Sequence, residues 1–438
     1  MTTLIYNATV AGVPSGTPAY VFIDGDTIVE VGTGCVPSHL TKADEVVDCG
    51  GDLVLPGAID CHVHTRDPGL TYKGDIATES AAAYAGGVTS ILDMPNTVPQ
   101  TTTMAPVRDK MARAAEVAKV NYGFFIGAAG ASNIDELAHA DYSVIPGIKL
   151  FMGSSTGNML VDKDDDLRRL FDLAAALDVI VVVHAEDEEI INARRAMVQS
   201  RYGDASVPVR MHSYIRPAEA CLRATERAMT LAQRYGTRLH IAHVTTAAEV
   251  ALLSAEPLTA DKRITAEVSP HHLLWCSEED GDNPRMKMNP AVKTAADRMA
   301  LRQAVADGRI DIIATDHAPH LLAEKSGGAL RAVSGAPMVQ FSLPAMLGLF
   351  DAPAVQRLMC HNPARLFGIQ RRGDIAVGNY ADITRVRRVE PYVVHDTDVV
   401  SRCGWTPLDG RLLQYRVVDT RVNGSRNGKA MALKFERQ

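Results

Sequence analysis

No paired-cysteine motif, no membrane-length apolar run and no surplus of basic residues occur in this 438-residue chain. Lys plus Arg number 45 against 52 Asp plus Glu, a net charge of −7. A general nucleic-acid binder would show the opposite balance or a basic patch. No apolar run approaches the ~18 residues of a membrane span. Residues 1–7 carry neither a basic segment nor an apolar core, so no signal peptide is expected. The seven cysteines are odd in number and scattered, with no CxxC pair. That excludes a disulfide framework and a zinc ribbon, and the expectation is a reduced, cytoplasmic protein. Internal repeats and low-complexity segments are absent too. With 46% hydrophobic and 22% charged residues, the composition is that of an ordinary globular protein with a sizeable core. What stands out is the set of 14 histidines, several at short spacing from an Asp or a second His.

Both ends read as β structure. Near the N-terminus, Leu4-Ile5-Tyr6, residues 19–23 and residues 27–31 are strand-like, with a turn at Asp24-Gly25-Asp26. Residues 373–378 and 415–422 have the same texture, which predicts one small β-sandwich domain built from both termini. Between them, eight short apolar runs alternate with amphipathic or Ala-rich stretches. The runs lie at 58–61, 88–92, 122–126, 147–151, 179–183, 239–242, 264–268 and 310–314. Helical stretches include 165–176, 218–234 and 295–306. Eight β/α alternations predict an α/β fold, a (β/α)8 barrel. The expected division is 1–54 and 369–438 for the small domain and 55–368 for the barrel.

Polar residues gather where such a barrel places its chemistry, at the C-terminal ends of strands. His62 and His64 follow the first run, Asp93 ends the second, and Lys149 lies in the fourth. His184, His243 and Asp316 end the fifth, sixth and eighth. In an extended segment His62 and His64 face the same side, so both imidazoles can address one ion. Taken alone, the pair reads equally well as two polar residues at a strand end. A single His such as His184 or His243 reads equally well as a satisfied core residue; their joint placement favours a ligand role.

The flanking residues carry more. Residues 56–69, ending in His62-Val63-His64-Thr65-Arg66-Asp67-Pro68-Gly69, are followed in order by Asp93-Met94-Pro95-Asn96-Thr97 and Gly147-Ile148-Lys149-Leu150-Phe151-Met152. Val183-His184-Ala185-Glu186, Ile241-Ala242-His243-Val244, Met288-Asn289-Pro290 and residues 314–320 (Ala-Thr-Asp-His-Ala-Pro-His) complete the barrel series. His361-Asn362-Pro363-Ala364 and residues 378–382 extend it into the tail. In this ordered set the chain resembles the amidohydrolase superfamily and, within it, the dihydroorotases.

The resemblance implies a binuclear zinc centre: His62 and His64 on one metal with Asp316, His184 and His243 on the other, and Lys149 bridging them as a CO2-derived carbamate. Two Zn2+ contribute +4, and carbamate, Asp316 and a bridging hydroxide −3, which leaves a site suited to oxyanions. Some dihydroorotases lack this lysine, so its presence implies a full two-metal subgroup. The same resemblance assigns Arg66, Asn96 and His320 to the carboxylate of the substrate and Asn289 to its ring; His317 reads as a neighbour that orients ligands. The chain departs from the family at Ser334-Gly335-Ala336-Pro337-Met338-Val339-Gln340, where a Gly335 backbone contact to the ring is expected from a partial match.

The implied reaction is the reversible hydrolysis of dihydroorotate to N-carbamoyl-aspartate in pyrimidine synthesis. Metal-activated water is the expected nucleophile, and Asp316 the base and then the acid. A hydantoinase, dihydropyrimidinase or allantoinase would share the metals without needing Arg66. A catalytically silent scaffold would have lost ligands, and all six are present. The small-molecule substrate is the expected partner, with no nucleic acid and no membrane; the resemblance also leaves room for a homodimer and for association with aspartate transcarbamoylase.

Overall fold

The computed structural model describes residues 1–11, 13, 17–154, 159–203 and 206–436. Its centre is a closed parallel barrel. The strands run Ala58–Val63, Val88–Asp93, Asn121–Phe124, Ile148–Phe151, Val181–His184, Leu239–Ile241, Ile264–Val268 and Ile312–Ile313. The third resumes after Phe125 as Ile126–Gly127, which pairs with the fourth. Each strand pairs in parallel with the next. The ring closes where Val63 bridges His317: the His64 N–H donates to the His317 carbonyl at 2.8 Å, and the His317 N–H to that of His62 at 3.2 Å. Closure therefore brings the two sequence-distant motifs, 62–64 and 316–320, side by side.

The expected helices are present as Asp164–Ala176, Ala218–Tyr235 and Ala295–Ala306. Thr294 and Asp297 form a reciprocal capping box at the start of the last. Ala220, Ala224, Ala228 and Ala232 repeat every four residues along Ala218–Tyr235 and are buried, and Gly236 ends that helix in the left-handed region at φ 73°. Inside the barrel Ile59, Cys61, Leu92, Phe125, Ile180, Val182 and Ile312 pack with Phe367, Leu433 and Phe435. This apolar packing fills the barrel towards the N-terminal ends of its strands and leaves the C-terminal ends to polar side chains.

Seven strands from both termini form one mixed sheet: Thr2–Val10, Ala19–Asp24, Thr27–Thr33, Glu45–Asp48, Leu53–Pro56, Ile383–Val393 and Leu412–Arg421. The halves join where Leu53–Pro56 pairs antiparallel with Ile383–Val393. Two details differ from expectation. Residues 373–378 form turns, with Gly373 and Gly378 at φ 90° and 91°. The strand Ile383–Val393 was not singled out in the sequence because its outer half is charged and exposed. The tail also leaves the sheet: the Leu433 N–H donates to the Tyr122 carbonyl at 2.8 Å, and Phe435 packs under the barrel. All seven cysteines are free thiols. Among the described residues no helix is long and apolar enough to cross a membrane.

Candidate metal centre and substrate pocket

At the C-terminal end of the barrel the fold collects His62, His64, Lys149, His184, His243 and Asp316. Nε2 of His64 lies 3.0 Å from Oδ1 of Asp316, and Nε2 of His62 lies 3.4 Å from the same oxygen. One ligand atom from each of the three falls within 4.8 Å of the others. Nδ1 of His184 faces Nε2 of His243 at 3.0 Å. The two groups adjoin, with the His62 and His243 ring centroids 5.3 Å apart.

The opposite ring nitrogens are held from behind. Nδ1 of His62 is bound to Glu267, Nδ1 of His64 lies 2.8 Å from Oδ1 of Asn96, and Nε2 of His184 lies 3.0 Å from Glu186. Glu267 also takes Nε2 of His240 at 3.1 Å, and Glu186 is paired with Arg216. This is the pattern of metal-binding histidines, in which an outer carboxylate or amide fixes the ring and leaves the inner nitrogen's lone pair facing the ion. Asn96, assigned by resemblance to the substrate, thus also orients His64.

The protonation states agree with a ligand set. Burial holds His64 down at about 4 and lowers His184 and His243, so these imidazoles are neutral with lone pairs available. Burial would raise Asp316, but His62, His64 and His243 outweigh it and keep the carboxylate ionised. Lys149 is fully buried and its Nζ has no hydrogen-bond partner; burial lowers it to about 8. Nδ1 of His243 is likewise buried without a partner. An orphaned amine beside neutral imidazoles and an ionised carboxylate is a donor set that fits divalent metal.

Backbone strain is concentrated here. Arg66, His243 and Asp316 adopt positive φ of 69°, 38° and 48°, three of the seven described non-glycine residues that do. Each such conformation costs about 1–3 kcal/mol and persists only where the surroundings impose it. At Arg66 the chain turns away from the extended line of His62 and His64, and the side chain reaches its place by the turn.

Arg66 is buried. Its Nε donates to the Pro319 carbonyl at 3.0 Å and its NH2 lies 3.0 Å from Nε2 of His320, while NH1 has no partner. Among the described residues no carboxylate forms an ion pair with it. Nδ1 of His320 lies 2.9 Å from Nζ of Lys73; burial first, then Arg66 and Lys73, push His320 far below the usual imidazole range. Oδ1 of Asn289 takes Nε2 of His212 at 3.1 Å. Gly335 packs against this group: a Cβ there would lie 3.0 Å from Cδ2 of His320, and its carbonyl accepts from Lys325 at 2.7 Å. His317 stands outside the ligand set, with Nε2 on Glu79 at 2.7 Å and Nδ1 accepting the Met338 N–H at 2.9 Å.

The amidohydrolase family model matches residues 53–405. A dihydroorotase of Halobacterium salinarum is 37% identical over 398 residues, covering 89% of each chain. One of Lactobacillus johnsonii is 33% identical over 432 residues, covering 97% of this chain and 98% of its own. The chain belongs to the amidohydrolase family, among its dihydroorotases.

Among solved structures, the L-hydantoinase (dihydropyrimidinase) of Arthrobacter aurescens superposes with a TM-score of 0.89 at 26% identity, over 99% of this chain and 98% of that one. The dihydropyrimidinase of Brevibacillus agri shares the fold at a TM-score of 0.85 and 24% identity, over 100% and 97% of the two chains. The sequence reading of this amidohydrolase missed Glu267, Lys73, His212 and Arg216. For Glu267 a signal existed, a lone acid inside the apolar run 264–268. Lys73 and Arg216 carry no such local mark.

Proposed function

We propose that this amidohydrolase hydrolyses the cyclic amide of dihydroorotate to N-carbamoyl-aspartate and runs the reverse ring closure in pyrimidine synthesis. The observation that carries this reading is Arg66, a buried guanidinium with no carboxylate ion pair among the described residues, beside the histidine–aspartate cluster. Burial lowers Arg66 to about 10 although Asp316, Asp93, Glu79 and Glu324 attract it from a distance, so the buried charge is only partly compensated. An acid substrate completes that compensation, whereas the uncharged rings taken by hydantoinases do not.

His62, His64 and Asp316 would hold one zinc ion, His184 and His243 the second, and carboxylated Lys149 both. When bound, the metal supplies Lewis acidity and makes water acidic enough to furnish hydroxide near neutral pH. Lys149 with its proton affinity near 8 exposes neutral amine to CO2; an N–C bond forms and one proton leaves. Arg66 offers NH1 to the substrate carboxylate with His320 and Asn96 alongside, a planar donor suited to bidentate binding. His212 orients Asn289 towards the ring. Asp316 accepts the proton of the attacking water and returns it to the ring nitrogen as the C–N bond breaks. Ring closure requires Asp316 protonated at the outset, so that direction is favoured at lower pH.

The test is an absorbance assay of dihydroorotate ring opening beside hydantoin and allantoin, with zinc measured on the same preparation. Turnover of dihydroorotate alone with two zinc ions per chain is expected. Preference for hydantoin would move the reading to the activity named for the structural neighbour, and zinc-free protein without turnover would return it to a silent scaffold.

A further inference from the structure

Beside His320 and Asn289 lies a cavity of about 330 Å3 whose wall also contains Lys73, Arg195, Arg216 and Lys287. That volume is at the low end of ordinary small-molecule sites. Among the described residues, the four charged side chains in its wall are all cations. Two are answered by acids behind the wall, Lys73 by Glu324 at 3.0 Å and Arg216 by Glu186. Arg195 and Lys287 have no carboxylate partner among the described residues. Lys287 is buried, with its ammonium on the Ala332 carbonyl. Its proton affinity falls to about 8, through burial first and then repulsion from Arg216 and Arg195. Three cations thus repel one another across one cavity that opens beside the substrate carboxylate's partners.

We propose that this cavity is an anion vestibule that captures the acid before Arg66 receives it and favours the open-chain dicarboxylate over the ring monocarboxylate. The inference rests on the dihydroorotase reading. Two cations lacking acids match the two carboxylates of N-carbamoyl-aspartate, whereas dihydroorotate carries one. Coulombic attraction scales with ligand charge, and low-dielectric walls focus it.

Arg195 is exposed and outside the catalytic set, so Arg195→Gln tests the vestibule in the zinc-loaded full chain. The fixed reaction equilibrium forces kcat/KM to fall equally in both directions, so inhibition constants are the discriminating reading. The probes are N-acetyl-aspartate, a dicarboxylate that cannot cyclise, and orotate, a monocarboxylate. Near 0.01 M salt the variant should raise the inhibition constant of the dicarboxylate about ten-fold and of the monocarboxylate about three-fold, with both effects collapsing by about 0.5 M. The kcat of ring opening should stay as in the parent, and Arg195→Lys should restore the dicarboxylate. Arg388→Gln, which removes an exposed cation from the terminal sheet, should change neither probe. Equal effects on the two probes, or the same effect from Arg388→Gln, would overturn the vestibule. Absence of dihydroorotate turnover in the parent would instead overturn the functional reading beneath it.

Discussion

Replacing Arg66 by Met separates function from stability in opposite directions. The guanidinium is 1% exposed, and of its nitrogens only Nε and NH2 have partners. Removing one side of a desolvated charge pair costs about 2–5 kcal/mol of binding. At ~1.4 kcal/mol per factor of ten, that is a rise of about 30- to 4,000-fold in the KM for dihydroorotate. The free protein should respond otherwise. Met removes the Nε bond to Pro319 and the NH2 contact with His320, each worth about 1 kcal/mol, and also an unsatisfied buried donor that costs about 1–3 kcal/mol. Relief of the desolvated charge adds to the gain, offset in part by the lost attraction from Asp316, Asp93, Glu79 and Glu324. The melting temperature of the substrate-free variant should therefore equal or exceed that of the parent, a trade of stability for function. Arg66→Lys keeps the charge and loses the fork, so its KM should fall between the two. Ring opening followed by absorbance supplies KM, and calorimetry the melting temperature. A KM within about three-fold of the parent, or a variant several degrees less stable, would show that Arg66 holds the fold and not the substrate.

Three further outcomes follow from the same geometry. Lys149→Ala should lose about 10³-fold or more in kcat, and a short carboxylic acid added in solution should restore part of it by replacing the anionic donor proposed for carboxylated Lys149; a variant as active as the parent would remove Lys149 from the proposed centre. Glu267→Gln should weaken metal binding about 10- to 100-fold, read by competition with a chelator, because the carboxylate behind His62 raises its basicity; unchanged affinity would make Glu267 a purely structural acid. Glu45 is depressed from 4.5 to about 2 by its hydrogen bonds and charge pairing with Arg421 and Arg426. A depressed acid contributes stability that is fully present above its unfolded value and disappears as pH falls through the folded one. Glu45→Gln should therefore abolish up to about 3 kcal/mol of acid-dependent stability between pH 4.5 and 2, measured by denaturant titration across that range.

Much of the barrel was legible because its signals are local. Helix Ala295–Ala306 starts at the Thr294 cap, and helix Ala218–Tyr235 shows its alanine face every fourth residue. The strands are short apolar runs, and several carry a polar residue at or near the C-terminal end that water or a ligand must satisfy. Strand Ile383–Val393 was missed for the converse reason: it is an outer strand whose far half is exposed and charged, so no apolar pattern marks it. The site shows the same division. His62, His64 and Asp316 stood out through spacing and neighbours, whereas Lys73 and Arg216 matter only through contacts with residues more than a hundred positions away or on another loop.

By itself, the order of residues determined the barrel class and most strand ends and marked the candidate metal ligands, because hydrophobic periodicity and short motifs act over a few positions. Only the folded chain decided which imidazole nitrogen faces inward. Glu267, Glu186 and Asn96 make that choice from other strands and loops, and no local pattern encodes it. Tertiary structure also left Arg66 buried with no ion-paired acid among the described residues and set Arg195 and Lys287 around one cavity, since burial and charge balance are sums over the whole neighbourhood.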